Sequence, residues 1–316
     1  MTKKESGITN HDLHVNTEIF EIRSYLNSTE KDSLLYDEKG FDKRIAVIDF
    51  MEFYVIDRIE TLLQKTDQPG ELILLKYSAQ KVKSELEEID VNLFQKLQAR
   101  IRTGGSTGKE FKNLVNEYIN FNLEDNEHQE EPEYDNLDVF INGLSPFQTM
   151  PEQTKDLEPE MVYYQKTPAR IVFELVEKAH FLKEDVFFDL GSGLGQVAIL
   201  VNLLAEITVK GIEFEPAFCN YARDCAAELN LPNVTFINVD ARKADYSEGT
   251  VFFMFTPFRG EILQEVLAVL RQESLLRKIK IITYGPCTAQ VALQSWLHSA
   301  APEDGNIYKL DIFTSL

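Results

Sequence analysis

The sequence predicts an α/β fold: a doubly wound, mostly parallel sheet in the C-terminal half, preceded by an N-terminal all-helical domain. Three observations predict it. From about residue 160, short apolar strands alternate with helices, the pattern of parallel strands buried on both faces and joined by right-handed crossovers. The first of these strands, VFFDL (186–190), runs into a glycine-rich turn and then a helix. Residues 1–120, in contrast, read as helix, with little Gly or Pro before position 104. At roughly 150 residues per domain, 316 residues suggest two domains. The expected divisions are a helical domain at 1–123, an acidic linker or cover at 124–160 and the α/β domain at 161–316.

In the N-terminal part, the run 41–65 carries apolar residues at helical spacing, and DQPG (67–70) ends it with turn chemistry. From Glu71 to Arg102, the positions Leu72, Leu75, Ala79, Val82, Leu86, Ile89, Leu93, Leu97 and Ile101 step by three or four. That spacing puts them on one stripe of a long helix. Neighbouring helices are the expected partner of the stripe. The alternative is a homodimer through these helices, because near-heptad spacing also suits a coiled-coil seam. A shorter helix is expected over 109–123. Residues 124–160 are acidic and dotted with Pro, as befits a linker or an extended cover over the next domain.

The α/β elements follow in order. Residues 161–181 begin irregularly and become helical; Thr167 before Pro168 suits an N-cap with Pro at the first helical position, a reading that stands beside a cofactor contact and does not exclude it. Strands are expected at 186–190, 209–213, 234–240, 250–258 and 278–285. The helices between them are expected at 196–206, 216–230 and 261–274, with another near 288–299 before a terminal strand near 307–315.

Composition narrows the function classes. Apolar residues are 44% and charged residues 27%, enough to bury a core and to exclude disordered, collagen-like or mucin-like chains. The formal charge is −20, and residues 121–160 alone hold 12 acids and one base. No segment shows the basic excess that grips phosphates, which counts against nucleic acid as a partner. Cys219, Cys225 and Cys287 form no C-x-x-C pair, so a reducing compartment is expected. With no signal-like start and no long apolar run, the expectation is a cytoplasmic protein without a membrane partner.

In a doubly wound sheet, ligands sit at the carboxyl ends of the strands. Here the first strand ends in Asp189-Leu-Gly191-Ser-Gly193-Leu-Gly195-Gln196. The glycines let backbone approach a ligand closely. The dinucleotide fingerprint would need Gly where this chain has Gln196, which argues against a nicotinamide-dependent reductase. An acid before the glycines suits a cation, not a pyrophosphate. Glu213 closes the second strand, where it could accept both ribose hydroxyls, and Asp240 ends the third, where it could accept from an adenine amino group. Three acids at successive strand tips describe a cationic nucleoside without phosphates, and S-adenosylmethionine fits.

With these residues the segment resembles the class I S-adenosylmethionine-dependent methyltransferases, whose domain is Rossmann-like. Phe188 to Gln196 is the first motif, Gly211-Ile-Glu213 the second and Val239-Asp240 the third. More narrowly it is similar to the disruptor-of-telomeric-silencing histone-lysine methyltransferases. Their first motif reads F-x-D-L-G-S-G-x-G-Q, and a V-Y-x-x-T-type segment precedes it, matched here by Tyr164 and Thr167. The resemblance runs from roughly residue 158 onward and does not reach the N-terminal helices. It implies Tyr164, Thr167, Asp189, Gly191, Gly193, Gly195, Gln196, Glu213, Asp240 and Ala241 as cofactor-binding residues. It also implies in-line methyl transfer to an amine-type acceptor, with a protein lysine as first choice. A small-molecule acceptor and a non-catalytic S-adenosylmethionine-binding module are the alternatives.

The chain departs from that family at the end of the fourth strand. Where the family has an Asn-Asn-Phe-type motif, this sequence reads Phe255-Thr-Pro-Phe258. Thr256, Phe258 and Tyr164 are the candidates for lining the transfer channel, and no general base is assigned. That fold ends with two strands, of which the sequence suggests one. Thr103-Gly-Gly-Ser-Thr-Gly-Lys-Glu110 imitates a phosphate loop but is one residue short, lacks the final Ser/Thr and follows no strand. It reads as a helix-to-helix turn. The five His are scattered or lack companion ligands, so no metal is expected.

Overall fold

A computed structural model describes residues 10–66, 69–123, 134–299 and 306–316. The core of the acidic run (124–133) and the Asp-Gln of the DQPG turn lie outside these residues. The chain forms two compact units. One comprises Met1–Gln95 with Glu117–Asn120, the other Lys96–Asn116 with Phe121–Leu316. The second unit therefore takes in residues 96–116, which the sequence had grouped with the helical domain.

The first unit is helical. It contains α1 (Asn10–Lys31), α2 (Phe41–Phe50), a π-helical turn Met51–Ile56 and α3 (Asp57–Leu63), followed by the long helix α4 (Gly70–Arg102). The apolar stripe of α4 is buried, and its first half packs on Ile22 and Leu26 of α1, Met51 and Val55 of the π turn and Ile59 of α3. Neighbouring helices thus cover that half. The expected single helix at 41–65 is broken by the π turn, which shifts the register by one residue and keeps Val55, Ile56 and Ile59 all inward. Arg44 is wholly buried, because its guanidinium donates to Asp90 and to the carbonyls of Leu35 and Asp37.

Residues 103–107 form the turn between α4 and α5 (Gly108–Tyr118), as the failed phosphate-loop spacing implies. In the second unit, α6 (Asn136–Gly143) buries Leu137, Phe140 and Ile141 and α7 (Ala169–Ala179) follows. The alternating elements are β1 (Val186–Leu190), α8 (Gln196–Ala205), β2 (Thr208–Glu213), α9 (Pro216–Glu228) and β3 (Val234–Asn238). Then come β4 (Val251–Met254), α10 (Gly260–Ser274), β5 (Lys280–Thr283), α11 (Cys287–Ala292), β6 (Leu297–Ser299) and β7 (Asp311–Ser315).

The sheet has seven strands in the order β3-β2-β1-β4-β5-β7-β6. β1 to β5 are parallel, and β7 runs antiparallel to both β5 and β6. The helix expected near 288–299 is thus shorter, ending at Ala292, and the last three of those residues are β6. A three-residue strand carries too few positions to show an alternation. Strand order reverses at β1, with β2 on one side and β4 on the other, and the crevice at that switch point is where such sheets bind ligands. Among the described residues, no helix is long and apolar enough to cross a membrane.

Candidate functional site

A cleft of about 420 Å³ opens at the carboxyl ends of β1, β2, β3, β4 and β5. It lies wholly within the second unit. Tyr164, Thr167, Asp189, Gly191, Gln196, Glu213, Asp240 and Ala241 all line it, as do Thr256 and Phe258. Gly193 and Gly195 are not on its wall. They turn the chain under it, with φ of +52° and +84°, where an L side chain is disfavoured. A Cβ on Gly193 would meet the Tyr164 ring at 2.2 Å, and one on Gly191 would meet Pro257 at 2.3 Å. The first motif is therefore bare because Tyr164 and the β4 tip lean on it.

The floor of the cleft is acidic and desolvated. Asp189 is 3% exposed, and its Oδ2 has no hydrogen-bond partner among the described residues. Burial, and then the charge of Glu213, push its carboxyl up to about 8, against a partial counterweight from the Ala198 amide. Glu213 accepts from the Gly193 amide at 2.7 Å and from the Glu215 amide at 2.8 Å. Burial still raises its pKa. Two buried acids side by side cannot both hold a full charge cheaply, so an empty cleft favours a proton on one of them.

Asp240 differs. Its carboxylate receives Nε and Nη2 of Arg242, and Arg242 also bridges to Glu158. The Arg242 hydrogen bond holds Asp240 below the ordinary carboxylate range. It borders the cleft as an ionised group already paired, with lone pairs left over for an incoming donor. The signal for that pairing was in the sequence, at two residues' distance, but nothing there revealed Glu158 as the third member.

The upper wall comes from the segment before α7. Met161 makes an isolated antiparallel bridge to Phe258, and the Val162 amide donates to the Pro257 carbonyl at 3.1 Å. This holds 161–167 extended across the β4 tip, and Tyr164 packs on Phe218 with ring centroids 5.5 Å apart. Farther back, Glu215 ties the segment 154–155 down by accepting from the amides of Thr154 and Lys155 and from the Thr154 hydroxyl. Glu215 also caps α9 through the Ala217 amide. It was not among the predicted site residues, although Glu before Pro216 is a recognisable N-cap arrangement.

Thr167 does not cap α7, so of its two readings the cap falls away. The helix begins at Ala169, and Pro168 makes no side-chain cap. The Ala169 amide donates instead to Asp138 Oδ1 at 2.8 Å, while Asp138 Oδ2 accepts from the Asp135 amide at 3.0 Å in the capping box of α6. One buried carboxylate thus serves two helix starts, which leaves Thr167 on the cleft wall. Asp138→Ala should cost about 1–2 kcal/mol of stability, with Asp138→Asn recovering part of it, as read by denaturant unfolding. An alanine variant as stable as wild type would remove this cap.

At the β4 tip, Thr256 sits at φ +44°, a costly conformation for a β-branched residue. Its hydroxyl donates to the Tyr284 carbonyl at 3.3 Å and accepts from the Cys287 amide at 3.2 Å. The hydroxyl is thus committed to joining β4 to the start of α11, rather than offered to a substrate. Phe258, 5% exposed, belongs both to the cleft wall and to the core under α10. Phe255, Tyr284 and Tyr308 complete an aromatic rim on this side.

S-adenosylmethionine is tested by the groups that lack partners. Besides Asp189 Oδ2, the buried atoms without a partner among the described residues include Ser192 Oγ and both amide atoms of Gln196. An anionic acceptor, a hydroxyl and an amide beside a bare backbone turn are what an amino-acid-bearing cation needs at its polar end. The residues fit the cofactor.

Parts of this chain are similar to known proteins. Residues 158–270 match the family model of the histone methylation protein DOT1. Among solved structures, an RNA methyltransferase from Salinibacter ruber in complex with S-adenosyl-L-homocysteine is 22% identical, over 48% of this chain and 92% of its own, with a TM-score of 0.38. A SAM-dependent methyltransferase from Aquifex aeolicus is 21% identical, over 47% and 93% of the two chains, with a TM-score of 0.36. Another from Geobacter sulfurreducens, also with S-adenosyl-L-homocysteine, is 23% identical over 36% and 47%, with a TM-score of 0.30. No curated protein matches significantly. Over residues 158–270 the second unit is similar to the histone methylation protein DOT1, a likeness that supports methyltransferase activity with S-adenosylmethionine.

Proposed function

We propose that this methyltransferase acts on an amine, and that the amine is the side chain of a protein lysine. The observation that carries the reading is the arrangement of the cleft. Its cofactor end is acidic and holds the unpartnered Asp189 Oδ2, and its other end is aromatic, formed by Phe255, Phe258, Tyr284 and Tyr308. The DOT1 match supports the choice of acceptor. At about 420 Å³ the cleft lies near the lower end of the roughly 300–1,000 Å³ that ligand clefts span. A bound cofactor occupies most of that space, which favours a slender acceptor reaching in from the rim over a bulky one lodged beside it.

When bound, S-adenosylmethionine supplies a methyl carbon made electrophilic by its sulfonium. Asp189, Ser192 and Gln196 would hold the amino-acid end, and Glu213 and Asp240 the nucleoside end. Tyr164 and the β4 tip close the cleft from above and exclude water. The aromatic rim strips water from an approaching amine, which favours its neutral, nucleophilic form. Rigid alignment is the protein's main contribution.

The test is methyl incorporation from labelled S-adenosylmethionine into basic protein acceptors, with the modified residue located by mass spectrometry. Label on lysine, lost when Asp189 is changed, is the expected result. Transfer confined to small amines, or to none of the acceptors, would overturn the lysine assignment.

A further inference from the structure

Beside the cofactor cleft, the second unit holds another cavity of about 320 Å³. Its body is apolar, built from Leu144, Phe147, Met150, Ile199, Leu203 and Leu229. Its polar lining includes Lys166 and Asn142. The Lys166 ammonium donates to the Asn142 side-chain oxygen at 2.5 Å, and among the described residues no carboxylate lies within ion-pair distance of it. The nearest opposing charge that matters is Asp138, and burial holds the Lys166 pKa below the ordinary lysine value. A partly buried cation with no counter-ion among the described residues costs stability unless a ligand satisfies it. The complement of that cation is an anion, and the complement of the body is hydrocarbon.

We propose that this cavity binds an apolar monocarboxylate, its hydrocarbon part among the aliphatic and aromatic side chains and its carboxylate at Lys166. Tyr164 and Gln196 border both cavities, so the occupant is placed to alter cofactor affinity. That consequence rests on the function proposed above, whereas the binding does not.

The test is calorimetry with octanoate and with octanol, on the full chain without cofactor. Octanoate should bind, and Lys166→Met should weaken it by about tenfold or more, the value of a hydrogen bond to a charged group. Octanol, which lacks the charge, should bind Lys166→Met and wild type alike. Ile199→Trp, which fills the cavity from α8, should reduce both ligands. If that variant does not fold, the octanoate-to-octanol comparison on Lys166→Met decides alone. Absence of octanoate binding, or octanoate binding that ignores the loss of Lys166, overturns the proposal whatever the enzyme's acceptor proves to be.

Discussion

Asp189→Asn should weaken S-adenosylmethionine binding by roughly tenfold to a hundredfold, while leaving the protein as stable as wild type or more so. The two effects have one origin. Asp189 is buried at the end of β1, with Oδ2 unpartnered among the described residues and Glu213 as an acidic neighbour. A hydrogen bond or ion pair to such a buried charge is worth about 1.5–3 kcal/mol, and Asn supplies no charge to a cationic ligand. In the empty protein, by contrast, the carboxylate is a burden. Its folded pKa is raised to about 8, against about 3.9 for a free aspartate. A raised folded value means the stability from this group is fully present below the unfolded pKa and is lost as pH climbs through the folded one. Thermal unfolding of wild type should therefore soften between about pH 4 and about pH 8 relative to Asp189→Asn.

Binding runs the other way. A cation favours the ionised acid, so wild-type affinity should rise with pH toward about 8, with proton release on binding. Calorimetry in buffers of different ionisation heat reads that proton directly. The variant should show a flat profile over this range and release none. If Asp189→Asn binds the cofactor as tightly as wild type, Asp189 is not a cofactor ligand and the cleft is used in another way.

What the sequence made legible follows the range of the interactions. The strand–turn–helix pattern, the α4 stripe and the acids at the strand tips are all local signals, fixed by spacing along the chain. The fold class and the gathering of Asp189, Glu213 and Asp240 around one cleft could be read from them. Long-range partners could not. Asp138 serves the start of α7 from 31 residues away, so the local rule that places Ser or Thr before Pro chose Thr167 instead. Glu215 gives a local cap signal, but its bonds to Thr154 and Lys155 need the segment 154–155 folded back over β2. Thr256 could be identified as a β4-tip residue, whereas its left-handed backbone and its ties to Tyr284 and Cys287 depend on the neighbouring strand. The sheet edge was missed for a related reason, since β6 is short and its hydrogen-bonding partner, β7, comes later in the chain.

Gly193→Ala is expected to be the most damaging single-methyl change in the cleft. At φ +52° an alanine carries a left-handed penalty of about 1–2 kcal/mol. Its Cβ would also stand 2.2 Å from Tyr164 Cε2 and 2.4 Å from Cδ2, and relieving such overpacking typically costs about 1–3 kcal/mol. The ring cannot simply withdraw, because Phe218 packs against it. If the backbone shifts instead, it breaks the bond from the Gly193 amide to Glu213. A total loss of about 2–5 kcal/mol is expected.

A double-mutant cycle with Tyr164→Ala separates the parts. Removing the ring abolishes the clash but not the backbone strain, so the double variant should be more stable than additivity predicts by about 1–3 kcal/mol. Urea unfolding measures the coupling. Should Gly193→Ala fail to fold while the double variant folds, the same conclusion holds. Cofactor binding should not recover with stability, because the double variant has lost the tyrosine wall itself. Strict additivity would mean that Tyr164 does not rest on the glycine turn. The extended segment from Met161 to Thr167 would then not be the roof of the cleft.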